Sequence, residues 1–322
     1  MIRADTIEMV HGACDMCGED AVTPCVTPVI YYPGLEIPCT VVICSSCGFM
    51  YTHPRPSQDS MPGLYQTYYA AQVGGGPHTG WPWAKRLGRI LRPLWHRYCG
   101  QYLAEVIGKA RGAVLEVGCG TGELLEDLAG RGCQVFGVDI NPASVQACRE
   151  KGLPATQGEL DTLSFPPGSF DTVILWHALE HLPSPREALT KIGQLLRPGG
   201  RLIIYCPNAD SYLAHFFGPY WYQWHLPFHF HHFTPASIRR LAQLGAFTVV
   251  RLRTVTPEFP VAHSLDLYGR TAGSPALRFL VRTGFHRTTP FPLTVASLFR
   301  LLDWCMREQG ECLQVELMKP ES

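Results

Sequence analysis

Three groups of residues in this 322-residue chain have the types and spacings that chemistry requires. Two Cys-x-x-Cys-Gly turns, Cys14 to Gly18 and Cys44 to Gly48, are separated by twenty-six residues. Each turn can aim two thiolates at one tetrahedral zinc, with the glycine relieving the bend. Cys14, Cys17, Cys44 and Cys47 would leave no open metal position, so such a zinc would be structural. The second group is Glu116-Val117-Gly118-Cys119-Gly120-Thr121-Gly122, at the end of an apolar run. Glycines let a ligand approach the backbone, and the helix start that follows offers unpaired N–H groups to a carboxylate. Asp139 follows at the end of the next apolar run, where an acid can hold both hydroxyls of a ribose. The third group is an aromatic loop, Tyr220 to Phe233, carrying His225, His229, His231 and His232. Four histidines could take a metal, but no acid or cysteine stands among them, and a lid over a partly apolar ligand is the expected role.

The elements that must position these residues follow from periodicity. Short strands and turns are expected over 1–60. A Tyr-rich linker with kinked helical patterns fills 61–110, its helix running over 84–110. From residue 111, strands alternate with amphipathic helices. Strands are expected at 113–117, 134–138, 155–157, 172–176, 202–205 and 248–252. Helices are expected near 122–130, 142–150, 185–196 and 234–244, the last capped by Thr234 with Pro235 at its first position. Such alternation makes a parallel sheet covered on both faces. Helical segments near 275–283 and 293–309 then precede a last strand at 313–318.

A nicotinamide-binding fold would space its glycines G-x-G-x-x-G. Here the third glycine comes one place early, with Glu116 just before the loop. This Glu-x-Gly-x-Gly-x-Gly stretch resembles the first motif of class I S-adenosylmethionine-dependent methyltransferases. The likeness extends in order through Gly158-Glu159-Leu160-Asp161, Phe165 to Asp171, Trp176 to Leu182 and Leu196 to Leu202. The resemblance covers about residues 111–254. It implies an α/β Rossmann-like sheet of seven strands, the last antiparallel, with the 313–318 strand at an inner place. It implies S-adenosylmethionine as cofactor, held around Glu116, Gly118, Cys119, Gly120, Gly122, Asp139 and Ile140. Glu159 and Leu160 would meet the adenine, with Trp176 and His177 bordering the site. Glu159 stands where the family usually has Asp.

The paired cysteine turns followed by Tyr68-Tyr69 are similar to the zinc-bearing N-terminal module of sugar C-methyltransferases and related natural-product and envelope-glycan enzymes. The organisation expected is therefore a zinc-binding, zinc-ribbon-like module at 1–60, a linker with capping helices at 61–110, and the methyltransferase domain at 111–322. That domain would carry the lid at 208–233 and a helical insertion at 255–311. Sugar C-methyltransferases usually carry a further C-terminal domain, whereas this chain reaches its final strand and ends.

A small-molecule acceptor, a sugar or secondary-metabolite intermediate methylated on oxygen or carbon, follows as the expected substrate. Tyr68, Tyr69, Trp221 and His225 would line it. His181, His229 and His232 would act on its proton, since a neutral imidazole can take one from a hydroxyl. His229 and His232 match histidines of related loops; Phe228 stands where an arginine is usual. The alternatives are an RNA or protein methyltransferase that reads through its zinc module, and a non-catalytic cofactor-binding scaffold. Charge weighs against nucleic acid. Residues 1–60 hold only Arg3 and Arg55 against seven acids, and the chain's net charge is zero. A basic stretch with Lys85, Arg86, Arg89, Arg92, Arg97, Lys109 and Arg111 reads as a solvated helix face. Thirteen cysteines without an export signal suit the reducing cytoplasm, with Cys25 and Cys39 as packing residues. No run of eighteen apolar residues is present, so no membrane span is expected.

Overall fold

The computed structural model describes residues 7–32, 35–69, 108–257, 259–276, 302–303, 305–306 and 308–321. The helical patterns over 84–107, most of 275–309 and the side chains of Tyr68 and Tyr69 lie outside the described residues. So does the basic stretch, apart from Lys109 and Arg111.

The N-terminal part holds β1 (Met9–Val10), β2 (Val22–Val26), β3 (Thr40–Cys44), β4 (Met50–His53), β5 (Arg55–Pro56) and a short helix α1 (Met61–Leu64). Next come β6 (Ala113–Val117), α2 (Glu123–Ala129), β7 (Gln134–Asp139), α3 (Pro142–Glu150), β8 (Ala155–Gln157) and β9 (Phe170–Trp176). Then α4 (Pro185–Leu195), β10 (Leu196–Pro207), α5 (Tyr212–Phe217), β11 (His231–His232) and α6 (Pro235–Leu244) follow. The C-terminal elements are β12 (Thr248–Val255), α7 (Phe259–Thr271) and β13 (Cys312–Met318).

Seven strands form one sheet in the order β12-β13-β10-β9-β6-β7-β8. β13 is antiparallel to both neighbours, and β6 to β10 run parallel. The parallel strands are buried on both faces, which is why β6 and β9 read as nearly continuous apolar runs. Local signals end the loops where the strands need covering. Asn141 accepts from the Ala143 N–H to start α3. Thr234 and Ser237 form a reciprocal cap on α6, with Pro235 in the first turn. The inner antiparallel strand β13 is tied to β10 by Glu316, whose carboxylate bridges Arg201 and Lys109.

The N-terminal sheet departs from a self-contained module. Its order is β11-β4-β3-β2, and its edge strand comes from the histidine loop some 180 residues later. His231 pairs with Tyr51 and His232 with Met50. The loop expected as a lid is instead interior. Trp221, Trp224, Leu226, Phe228 and Phe230 are all buried, in one cluster with Tyr32, Leu35, Cys39, Val41 and Leu64. Apolar side chains this dense settle between two layers and expel water, so the loop cements the N-terminal part to α5 and α7. Cys39 packs there as expected, whereas Cys25 on β2 is exposed.

Candidate active site

The glycine loop sits at the carboxyl end of β6. Gly118 and Cys119 donate their N–H groups to the Val138 carbonyl, at 2.8 and 3.1 Å. Gly120 donates to Asp139 Oδ2 at 2.8 Å, and Asn141 donates to Oδ1 at 2.8 Å. Two backbone donors therefore orient one carboxylate beside the loop. Gly120 has φ +50°, and a Cβ there would meet nothing within 4 Å, so the loop opens toward space a ligand can enter. Gly122 serves packing: a Cβ there would lie 2.9 Å from both Cys148 Sγ and Leu153 Cδ1.

Glu116 is buried, with one carboxylate oxygen lacking a partner among the described residues. Burial, and then the charge of Asp139, push its proton affinity well above the ordinary carboxyl range. Cys119 turns its thiol toward Cys148, 4.0 Å away, so its side chain packs under the loop. Ile140 is exposed beside Asp139, Leu160 is buried in the main core, and Glu159 stands near Gln58 across from the N-terminal part.

At the end of β9, Trp176 stacks on Tyr205 with ring centroids 4.2 Å apart. His177 has φ +50°, a conformation that non-glycine residues adopt under constraint. Its N–H is held by the Tyr205 carbonyl, and its Nδ1 lies 3.2 Å from Glu180 Oε1. A single turn of 3₁₀ helix, Leu179–His181, follows. Glu180 is fully buried, and its other oxygen has no partner among the described residues. His181 Nδ1 lies 2.9 Å from the Phe228 carbonyl and 3.1 Å from the Tyr65 hydroxyl. The His181 and His229 rings meet edge to face at 4.7 Å. A Cβ on Gly118 would lie 3.1 Å from that of Ala178, so the turn that carries Glu180 and His181 starts against the glycine loop.

His229 belongs to a buried chain of hydrogen bonds. Its Nδ1 donates to the Gln223 carbonyl at 2.8 Å, and its Nε2 faces His225 Nδ1 at 3.3 Å. His225 in turn bonds the hydroxyl of Tyr32, a residue of the N-terminal part. Burial disfavours the charged imidazole, lowering His181, dropping His225 to about 3 and taking His229 well below its usual value. These rings are neutral at pH 7.

Two expected site residues stand elsewhere. Trp221, expected to line the acceptor, is 1% exposed and donates its indole N–H to Glu311 at 2.7 Å. It is a core anchor, because its ring is enclosed and its donor is used. His232, expected to act on a proton, has its Nε2 3.0 Å from the Thr52 hydroxyl and its ring edge-on to Trp224. It joins β4 to the loop, outside the cluster of Glu180, His181 and His229. His225, expected to touch the acceptor, is buried, with its Nδ1 3.3 Å from His229 Nε2. Sequence reasoning left out Glu180 as a working residue, as well as Tyr32, Tyr65 and Gln223. Glu180 had a signal in its place next to His181 just after an apolar strand. The others come close only through tertiary packing.

The four paired cysteines meet in space. Cys14 and Cys47 sulfurs are 3.5 Å apart, as are those of Cys17 and Cys44, and all four lie within 4.8 Å of one another. Tetrahedral zinc with bonds of about 2.3 Å needs sulfurs about 3.8 Å apart. Gly18 and Gly48 adopt φ +79° and +74° and donate back to the Cys14 and Cys44 carbonyls, closing each turn. At Cys44, burial raises the thiol, but the N–H groups of Cys47 and Ser46 and neighbouring thiols outweigh it and bring it to about 7.

This sheet order and loop define a class I methyltransferase domain. The family model described as a methyltransferase domain matches residues 88–252, just over half the chain, and the chain belongs to that family. It is an S-adenosylmethionine-dependent methyltransferase, an enzyme. Over 111 residues it is 37% identical to a ubiquinone biosynthesis O-methyltransferase of Xanthomonas euvesicatoria, covering 32% of this chain and 46% of that protein. It is 34% identical over 110 residues to the protein of the same name from Xylella fastidiosa, covering 32% and 45%. The chain thus spans a little under half the length of these curated relatives. Among solved structures, the YcgJ protein of Bacillus subtilis is similar with a TM-score of 0.47 and 17% identity, covering 69% of this chain and all of that one. No helix among the described residues is long and apolar enough to cross a membrane.

Proposed function

We propose that this enzyme methylates a hydroxyl of a small-molecule acceptor, a sugar or secondary-metabolite intermediate, with the acceptor seated between the glycine loop and the Glu180–His181–His229 cluster. The observation that carries this is the position of that cluster. Neutral imidazoles and a buried carboxylate gather in the turn after β9 and the loop before β11, and that turn starts against Gly118 at the carboxyl end of the parallel strands, where ligands of such folds bind. S-adenosylmethionine supplies the methyl group from its sulfonium. Asp139 would hold the ribose hydroxyls, Gly118 and Gly120 would leave room for the methionine end, and Glu116 would offer a hydrogen bond from a protonated carboxyl. Glu159, Leu160 and Ile140 would border the adenine, and Trp176 and His177 would wall the sulfonium end. The cluster would draw off the acceptor's proton, and alignment would supply much of the remaining catalysis. Oxygen is favoured over carbon by the name of the relatives, which are O-methyltransferases. A structural zinc on Cys14, Cys17, Cys44 and Cys47 fits the spacing and the N–H donors around those sulfurs.

The test offers methyl-labelled cofactor with separate panels of nucleotide-linked sugars, hydroxylated aromatics, RNA and proteins. Label should pass to a small hydroxylated compound, and His181→Ala should cut turnover by about 10²- to 10⁴-fold, the usual worth of a positioned proton acceptor, while leaving S-adenosylhomocysteine affinity nearly unchanged. Transfer to RNA or protein alone would overturn the reading.

A further inference from the structure

The Glu180–His181–His229 cluster has the build of a metal site. Its carboxylate and imidazole atoms lie within 4.8 Å of one another, brought together from the turn after β9 and from the loop before β11. Glu180 is fully enclosed, yet its Oε2 has no hydrogen-bond partner among the described residues. An unsatisfied buried carboxylate oxygen is costly, and a cation is one of the few groups that satisfies it. The histidines are oriented alike. His181 and His229 each direct Nδ1 at a backbone carbonyl, of Phe228 at 2.9 Å and of Gln223 at 2.8 Å. A carbonyl only accepts, so each Nδ1 carries the proton and each Nε2 carries the lone pair. Holding Nδ1–H on a carbonyl is how proteins fix the tautomer of a metal-ligating histidine. His225 Nδ1, 3.3 Å from His229 Nε2, now shares that lone pair in a hydrogen bond that a cation would replace.

We propose that Glu180, His181 and His229 bind one first-row divalent cation, such as Mn²⁺, Fe²⁺ or Zn²⁺, distinct from the four-cysteine site. Two imidazoles and one carboxylate suit these ions better than Mg²⁺ or Ca²⁺, which prefer all-oxygen surroundings. Three protein ligands would leave further coordination positions open. An acceptor hydroxyl taking one of them would release its proton to water more readily, because a bound cation stabilises the alkoxide, and with the ion in place His181 and His229 would act as ligands and not as proton acceptors. That role rests on the proposed methyl transfer to oxygen; the binding itself does not.

Mn²⁺ is the probe, since four thiolates prefer zinc. The full chain, with its zinc content measured, is titrated with Mn²⁺ and the free ion is followed by electron paramagnetic resonance. One Mn²⁺ per chain should bind, and pulsed spectra should show couplings from two imidazole nitrogens. Glu180→Gln and His229→Gln should each weaken binding by about 100-fold, the upper end of what even an outer partner is worth, with zinc content and S-adenosylhomocysteine binding retained. No Mn²⁺ uptake by the wild type, uptake indifferent to both substitutions, or spectra without nitrogen couplings would each overturn the site. The spectra are taken on the wild type, so they decide the matter even where a substitution unfolds the protein. Mn²⁺ bound as described in a protein that methylates no hydroxyl would instead sink the acceptor reading alone.

Discussion

At the residue scale, Asp139 accepts from two backbone donors beside the glycine loop. Burial raises its proton affinity, and the N–H groups of Asn141 and Gly120 pull it back. A carboxylate so placed is ready to accept hydroxyl donors. Asp139→Ala would lose ligand contacts and leave Gly120 and Asn141 without this acceptor. Each charge-assisted bond is worth about 1.5–3 kcal/mol, so calorimetry should show S-adenosylhomocysteine affinity falling at least about 10-fold. An unchanged affinity would remove Asp139 from the site. Glu311 makes a different prediction. It is fully buried, accepting from Trp221 at 2.7 Å and from Ser211 at 3.1 Å, and burial raises it to about 8. The folded state therefore keeps a proton that the unfolded chain gives up above its ordinary value of 4.5. Stability from this group is complete below about 4.5 and is lost as pH rises through about 8. Denaturant titrations should show the wild type losing ground to Glu311→Gln between these limits. A difference that is flat, or that shifts in favour of the wild type as pH rises, would show the carboxyl is ionised in the fold.

At the scale of elements, the paired cysteine turns bring the connection from β1 to β2 and the connection from β3 to β4 to one point. Cys44→Ala should abolish zinc uptake. A loss on the order of 2 kcal/mol would lower the thermal midpoint by about 3 °C for a chain of this size. Full zinc content in that variant would place the metal elsewhere. Strands and helices of the large sheet were legible almost to the residue. The span expected at 113–117 is β6, and 155–157 is β8. Their signals are local: apolar runs buried on both faces, a cap, and a proline in the first turn. The strand expected at 202–205 in fact begins at Leu196, because Leu196 already pairs with Phe170 and the ladder resumes at Arg201 after an irregularity over Arg197 to Gly200 that breaks the apolar pattern. The histidine loop misled for the opposite reason. Its aromatic residues have no period, so composition could say that they bury area but not against what. A roof over a ligand and a seam between two layers call for the same side chains. Glu180 was underread because its acid role depends on His229, forty-nine positions away in the chain.

At the scale of the whole molecule, the N-terminal part shares two hydrophobic clusters with the rest of the chain, and β11 of the histidine loop is the edge strand of the N-terminal sheet. Thr52 makes the join polar as well as apolar. Its hydroxyl lies 2.6 Å from the His229 carbonyl, and its N–H donates to the Phe230 carbonyl at 2.8 Å. Phe230 N–H then reaches the Glu180 carbonyl at 2.8 Å. The segment bearing His229 is thus clamped between β4 and the turn that carries Glu180 and His181. Residues 1–60 alone would expose Val41, Tyr51 and Thr52 and lose their edge strand. Expressed alone, this fragment should take up zinc yet give poorly dispersed amide spectra and no cooperative unfolding. A fragment that unfolds cooperatively on its own would show that the join is incidental.

The strand shared between β4 and β11 also sets a timetable for the nascent protein. β4 leaves the ribosome long before His231 and His232 are made. At roughly 5–20 residues per second, the wait is about 10–35 s. For that interval β4 is an open edge, able to pair with other chains. A thiolate cluster that closes early on zinc would keep β2 and β3 in register meanwhile. Zinc supply during translation, more than in the finished enzyme, would then decide how much of this protein reaches its native state.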